Sequence, residues 1–110
     1  MTAQKKKSVD RKRTPFPREL IYASSFVDDW EDITRSGKHD MHRIKEAISL
    51  LVMNDGPMPA EWRDHKLNGK LSDFRECHVK GDLLLLYKLQ TKPYCEVVIF
   101  SNIMTHSEAF

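Results

Sequence analysis

Asp64–Tyr87, read DHKLNGKLSDFRECHVKGDLLLLY, carries two histidines (His65 and His78), a carboxylate at Asp82 and the cations Lys66, Lys70, Arg75 and Lys80, and runs into an apolar stretch at Leu83–Tyr87. Its second half decides the fold. Phe74–Val79 reads as a strand, because alternation sends Phe74, Glu76 and His78 to one face and Arg75, Cys77 and Val79 to the other. Lys80-Gly81 is short enough for a hairpin turn, so Leu83–Leu89 is expected to return antiparallel, with Asp82 opening that strand. After Thr91-Lys92-Pro93, Tyr94–Ser101 is expected to form a last strand.

Working back from this sheet, Asn54-Asp55-Gly56-Pro57 and Pro59 break the chain. Before them, Met41, Ile44, Ala47, Ile48 and Leu51 share one face of an expected helix from about Asp40 to Met53. Phe26, Trp30 and Ile33 recur at helical spacing in an earlier segment, with Asp28, Asp29, Glu31 and Asp32 turned outward. Ser24 or Ser25 is a candidate cap for that helix and Gly37 its natural stop. Glu19–Ala23 reads as a first strand. The expected class is α+β, in the order β-α-α-β-β-β, with a helical hairpin packed on one face of a mainly antiparallel sheet. In such a meander a middle strand separates Cys77 from Cys95. Two inter-strand steps of ~4.8 Å exceed the ~7 Å a disulfide can span, so both thiols are expected free. His39 and His42, near the start of the second helix, are expected at the surface.

At 110 residues, with 31% charged and 40% hydrophobic side chains, the chain has the composition of one small globular domain. Its longest wholly apolar run falls far short of the roughly 20 residues of a membrane helix. The basic N-terminus has no apolar segment behind it, so no secretory signal is expected and the cytoplasm is the expected location. The net charge of +2 hides an asymmetry: residues 1–18 hold seven Lys and Arg against one acid, whereas residues 19–55 hold four against eight. Residues 1–18 are therefore expected to be a disordered basic arm, either an electrostatic attachment to RNA or a solubilising or vestigial leader, and 19–110 the folded domain.

Imidazole moves protons near neutral pH, and Lys and Arg hold phosphates. Together in one segment they point to acid–base chemistry on a phosphodiester. The histidines lack the short spacings of zinc ligands, and Cys77 is expected to face away from His78, so no metal site is expected.

The succession D-H at 64–65, F-R-E-C-H at 74–78, V-K-G-D-L-L-L-L-Y at 79–87 and the closing T-H-S-E-A-F at 105–110 resembles the YafQ branch of the RelE/ParE toxin superfamily, small bacterial ribonucleases of toxin–antitoxin pairs. The resemblance is strongest over residues 60–110, weaker but correctly ordered over 19–55, and absent over 1–18. It implies the compact fold of that superfamily, in agreement with the residue pattern. It also implies a site made of His65, His78, Asp82, His106 and Phe110. On this reading His78, supported by Asp82, takes the 2′-hydroxyl proton and His106 protonates the leaving oxygen, with the reverse assignment open. His65 orients or shares charge, and Phe110 stacks on a base. Lys66, Lys70, Arg75 and Lys80 are candidates for phosphate contact, although Arg75 is expected on the face opposite His78. No metal or cofactor is implied. The implied partners are a cognate antitoxin, held in a hetero-oligomer, and mRNA, cut on the ribosome or free of it. Leu83 stands where a well-studied member of the family has Trp, so a stacking surface is expected to be missing, and Gly81 stands where the family often has Pro. The alternatives are a gyrase-poisoning toxin of the ParE kind and an inactive RNA-binding relative. Three histidines around one site favour the nuclease.

Overall fold

The computed structural model describes residues 17–54 and 56–109. Strand β1 is Arg18–Tyr22, helix α1 Ser24–Ser36 and helix α2 Met41–Met53. A 3-10 turn, Ala60–Trp62, leads to a two-residue strand β2, His65–Lys66, and a second such turn, Gly69–Leu71, leads to β3, Arg75–Lys80. Strands β4, Leu83–Thr91, and β5, Glu96–Thr105, follow, and a short helix α3, His106–Ala109, closes the described chain. The expected order of elements holds, with β2 and α3 added. The sheet is mixed, in the order β1-β5-β4-β3-β2, because β1 pairs parallel to β5 while the other pairs are antiparallel.

Both helices lie against one face of the sheet. Phe26, Ile44, Ala47, Leu51 and Trp62 pack there on Cys77, Val79, Leu83, Leu85, Tyr87, Val98 and Phe100, all of them buried. At roughly 25 cal/mol per Å² of apolar surface this core is the main term holding the helices to the sheet. The opposite face carries a smaller cluster, Leu67, Leu84 and Leu86, with Leu71, Phe74 and Met104 packed against it. That second cluster explains the unbroken Leu83–Tyr87 run: β4 is the central strand and is covered on both sides.

Helix ends follow local chemistry, with one exception. Asp40 caps α2, its carboxylate accepting from the backbone N–H of His42 and Arg43. Gly37 ends α1 at φ 66°, the left-handed conformation that glycine adopts without strain. Neither serine caps α1. Ala23 is its N-cap, and the Ser25 hydroxyl instead donates to the Ser101 carbonyl at 2.7 Å. Asp29 does not face solvent either: its carboxylate accepts from Asn102 Nδ2 at 3.0 Å and from the Ile103 backbone N–H at 2.9 Å. The reason is a bulge. Leu86 pairs with Asn102 but Tyr87 with Phe100, so Ser101 is left unpaired, and Ser25 and Asp29 satisfy the backbone it disturbs.

Arg18 belongs to the folded domain and not to the arm. It opens β1 and is 7% exposed, with Nε donating to Glu96 at 2.7 Å and a second guanidinium N–H donating to the Leu51 carbonyl at 2.9 Å. A buried arginine with two acceptors in place is a structural residue. Residues 1–16 of the expected arm lie outside the described residues. Both cysteines are free, as the strand order requires.

Candidate active site

The site is assembled by β2 and the turn before it. Trp62, 1% exposed, anchors that 3-10 turn in the core. The Arg43 guanidinium covers its ring at 3.7 Å and donates to the Val79 carbonyl at 3.0 Å, tying α2, the turn and β3 together. Arg63 then ends the turn at φ 52°, ψ 40°, with its N–H on the Ala60 carbonyl. A left-handed residue with a Cβ costs roughly 1–2 kcal/mol, and such strain gathers at functional sites. The strain has a visible use. It swings the Arg63 carbonyl round to accept from His65 Nδ1 at 2.8 Å.

Next in the chain, Asp64 is pinned on the helix side of the sheet by the Tyr87 hydroxyl and by Arg75, whose guanidinium donates to it at 3.3 Å. Burial, then the Asp64 carboxylate, push the Tyr87 phenol far above its usual range, so it stays a neutral donor. The Arg75 guanidinium is held charged: burial opposes this, and Tyr87 and Asp64 outweigh it. With Asp64 fixed on one side, His65 emerges on the other.

There it meets β3. The register pairs His65 with Glu76, and its Nε2 lies 3.2 Å from Glu76 Oε1. His78, two residues along the same face, brings its Nε2 to 3.8 Å from the same oxygen. The two imidazole rings are 6.2 Å apart. Glu76 is 3% exposed and its other carboxylate oxygen has no hydrogen-bond partner. A carbonyl only accepts, so His65 Nδ1 must carry the proton that bonds Arg63. The Nε2 lone pair and a carboxylate oxygen at 3.2 Å then need a shared proton or a metal ion between them. The donor set fits a metal: one ligand atom each from His65, Glu76 and His78 lies within 4.8 Å of the others, and a carbonyl already orients one ring. The expectation that no metal site forms rested on sequence spacing. Cross-strand pairing supplies the proximity that spacing along the chain does not.

His78 has its proton affinity lowered below the usual histidine value, first by burial and then by Arg63, with Glu76 opposing and His65 and His106 adding to the decrease. His106 is therefore close enough to act on it electrically. His106 starts α3, and its backbone N–H donates to the Asp82 carbonyl at 2.8 Å, which fastens the end of β5 to the β3–β4 turn. Asp82 sits in that turn and does not open β4: Lys80 pairs with Leu83, so Gly81 and Asp82 form the two-residue loop, with Gly81 at φ 60°. The carboxylate of Asp82 is not among the groups that shift His78. Its visible contribution is the carbonyl under His106.

The structure thus brings together His65, His78 and His106, and adds Glu76 and Arg63, which the sequence reading did not single out. Arg75 lies on the far side of the sheet, as the alternation indicated. Lys66 is the second residue of β2 and pairs with Arg75, on the face opposite His65; Lys70 is exposed in the turn after β2, and Lys80 lies 3.8 Å from Asp40. Phe110 lies outside the described residues. Leu83, 2% exposed, faces the helix-side core, so this position offers no surface to a base.

The family model for the bacterial toxin YafQ of type II toxin–antitoxin systems matches residues 18–110. The mRNA interferase toxin YafQ of Escherichia coli K12 is 31% identical over 93 residues, covering 84% of this chain and 96% of that protein. The crystal structure of the E. coli DinJ–YafQ toxin–antitoxin complex contains a chain that superposes with a TM-score of 0.73 at 31% identity, over 86% of this chain and 98% of the other. A copper-bound variant of a toxin from Helicobacter pylori superposes with a TM-score of 0.71 at 32% identity, over 84% of this chain and 99% of that one. Fold, element order and matched length agree, and the chain belongs to the YafQ family of bacterial toxins of type II toxin–antitoxin systems.

Proposed function

We propose that this protein is the toxin of a toxin–antitoxin pair and an endoribonuclease that cuts mRNA, on the ribosome, by acid–base chemistry. The observation that carries the chemistry is the cluster of His65, Glu76 and His78 on one sheet face, with His106 within electrostatic reach. In this reading the 2′-hydroxyl attacks the adjacent phosphorus, the bond to the 5′-oxygen breaks, and a 2′,3′-cyclic phosphate and a free 5′-hydroxyl result. His78, kept neutral by burial and by its cationic neighbours, takes the hydroxyl proton. His106 returns a proton to the leaving oxygen. His65, braced by the Arg63 carbonyl and the Glu76 carboxylate, offers a fixed positive end to the charged transition state. Lys80, which lines the groove beside His78, is proposed to contact a neighbouring phosphate, with Lys66 and Lys70 adding charge from the edge of the sheet, whereas Arg75 acts through Asp64 as a positioning residue. Phe110 is proposed to stack on a base beside the cut.

A metal ion is the second reading, favoured by the donor geometry and by the copper-bound relative. It would occupy the lone pairs that move protons in the first reading, so the two readings exclude each other at one moment. Among the described residues no helix is long and apolar enough to cross a membrane, and we place the protein in the cytoplasm with its ribosomes. A neighbouring gene is expected to encode the antitoxin, and residues 1–16 to add charge-driven affinity for RNA.

Primer extension on mRNA in a translating extract tests the reading. Wild-type protein should produce new 5′ ends that disappear with His78→Ala or His106→Ala and with added antitoxin. Undiminished cutting by either folded variant would sink the acid–base assignment. Growth arrest without cutting, accompanied by gyrase inhibition, would replace the nuclease reading altogether.

A further inference from the structure

A groove of about 450 Å³ opens beside His78, between the turn at Arg63, the β3–β4 loop and the start of α2. Its cations are Arg43, Arg63 and Lys80. Two of them are engaged by carboxylates. Arg43 pairs with Glu46 at 3.1 Å and Glu61 at 2.8 Å, and Lys80 approaches Asp40 at 3.8 Å. Elsewhere Arg18 pairs with Glu96, Arg35 with Asp32 and Arg75 with Asp64. Among the described arginines Arg63 alone has no carboxylate partner. It is exposed, it lines the groove with His78, and it is held by a left-handed backbone at φ 52°. Each of the other described arginines is engaged by a carboxylate, whereas at Arg63 the backbone is committed and the guanidinium is not.

We propose that Arg63 is a catalytic residue that holds the scissile phosphate in this groove, a role that rests on the nuclease reading above. A planar guanidinium with parallel N–H donors matches two phosphate oxygens, and it would sit on the charge that grows as the 2′-oxygen attacks. The same residue's carbonyl aims His65, so one strained residue couples the phosphate clamp to the imidazole beside it.

The backbone and side-chain roles separate by substitution in the full chain. Arg63→Gly keeps the left-handed turn without strain and deletes the guanidinium, and Arg63→Lys keeps a charge. Arg63→Gly should melt no lower than wild type and bind antitoxin normally, yet cut mRNA about 100-fold more slowly. Arg63→Lys should regain at least about tenfold of that loss, the charge surviving without the bidentate fit. Binding to an uncleavable single-stranded RNA, with deoxyribose at the cut position, should lose about 0.7 from its log–log salt slope in Arg63→Gly, the share of one phosphate. Cutting by Arg63→Gly within twofold of wild type would overturn the proposal. So would an equal loss in both variants with an unchanged salt slope, which would leave only a backbone role. If wild type cuts no RNA the nuclease reading fails, and an unchanged slope would then separately remove the phosphate contact.

Discussion

Tyr87 donates its hydroxyl to the Asp64 carboxylate on the side of the sheet opposite His65, so a residue of the core sets the position of a residue of the site. Tyr87 is fully buried and Arg75 completes the arrangement from β3. Tyr87→Phe removes the donor and leaves Asp64 with Arg75 alone. Loss of a buried hydrogen bond to a charged group costs about 1.5–3 kcal/mol. Each kcal/mol lowers the Tm of a domain this size by roughly 4–8 °C. Cutting should also slow by about tenfold at temperatures where the variant is folded, because a small misplacement of His65 is enough. A stable variant with normal activity would show that Asp64 does not need its anchor.

The pH dependence should follow His78. Its folded pKa is lowered, so the neutral form needed by a general base persists below the ordinary histidine value of 6.5. In buffer treated with a chelator the acidic limb of the cleavage rate should therefore fall below pH 6.5. Arg63→Gly removes a cationic neighbour and should move the limb up, whereas Glu76→Gln removes the opposing anion and should move it down. Stability has the matching sign: the unfolded chain binds the proton more readily, so His78 makes folding weaker as pH falls through the window below 6.5. A limb at or above 6.5, unmoved by either substitution, would assign it to another group.

Metal ions provide a separate test of the two chemical readings. Zinc or copper bound by His65, Glu76 and His78 takes the lone pair that His78 needs as a base. Added zinc should inhibit cutting, with inhibition reversed by chelator, weakened at low pH where the ligands protonate, and reduced at least about tenfold by Glu76→Gln. Chelator alone should leave the wild-type rate unchanged. Loss of activity on chelation, restored by zinc, would make the metal part of the reaction.

Most of the fold was legible because apolar periodicity and turn residues act locally. The helix of Ile44, Ala47 and Leu51, the stop at Gly37 and the alternation of Glu76 and His78 against Cys77 and Val79 all follow from the chain itself. What was hidden depends on partners distant in sequence. Asp29 looked like one more outward acid of α1, and only the β5 bulge 73 or more residues later gives its carboxylate a use. Glu76 looked like an ordinary alternating residue until the two-residue β2 placed His65 opposite it. Arg63 carried no signal at all, since an arginine ahead of D-H does not advertise a left-handed backbone. The histidines were found because their order in the chain resembles a family pattern. The carboxylate between them and the cation beside them needed the register.

The boundary between the basic arm and the folded domain turns on a single residue. Arg18 is 7% exposed at the start of β1, paired with Glu96 at 2.7 Å and bonded to the Leu51 carbonyl at 2.9 Å. It therefore joins the edge strand, β5 and the end of α2 at one point. Arg18→Ala leaves that buried carbonyl without its donor and Glu96, one-third exposed, without its partner. Charged hydrogen bonds lost from a buried site cost about 2–3 kcal/mol, and solvent reaching Glu96 keeps the loss from the upper end of the buried-pair range. Deleting residues 1–17 removes six of the arm's cations but spares Arg18, so the Tm should stay within a few degrees while RNA binding loses much of its salt dependence. Deleting residues 1–18 should reproduce the destabilisation of Arg18→Ala. Primer extension should give the same cut positions for both truncations wherever the protein remains folded. Moved cut sites would mean that the arm reads sequence, and equal melting of the two truncations would remove Arg18 from the fold.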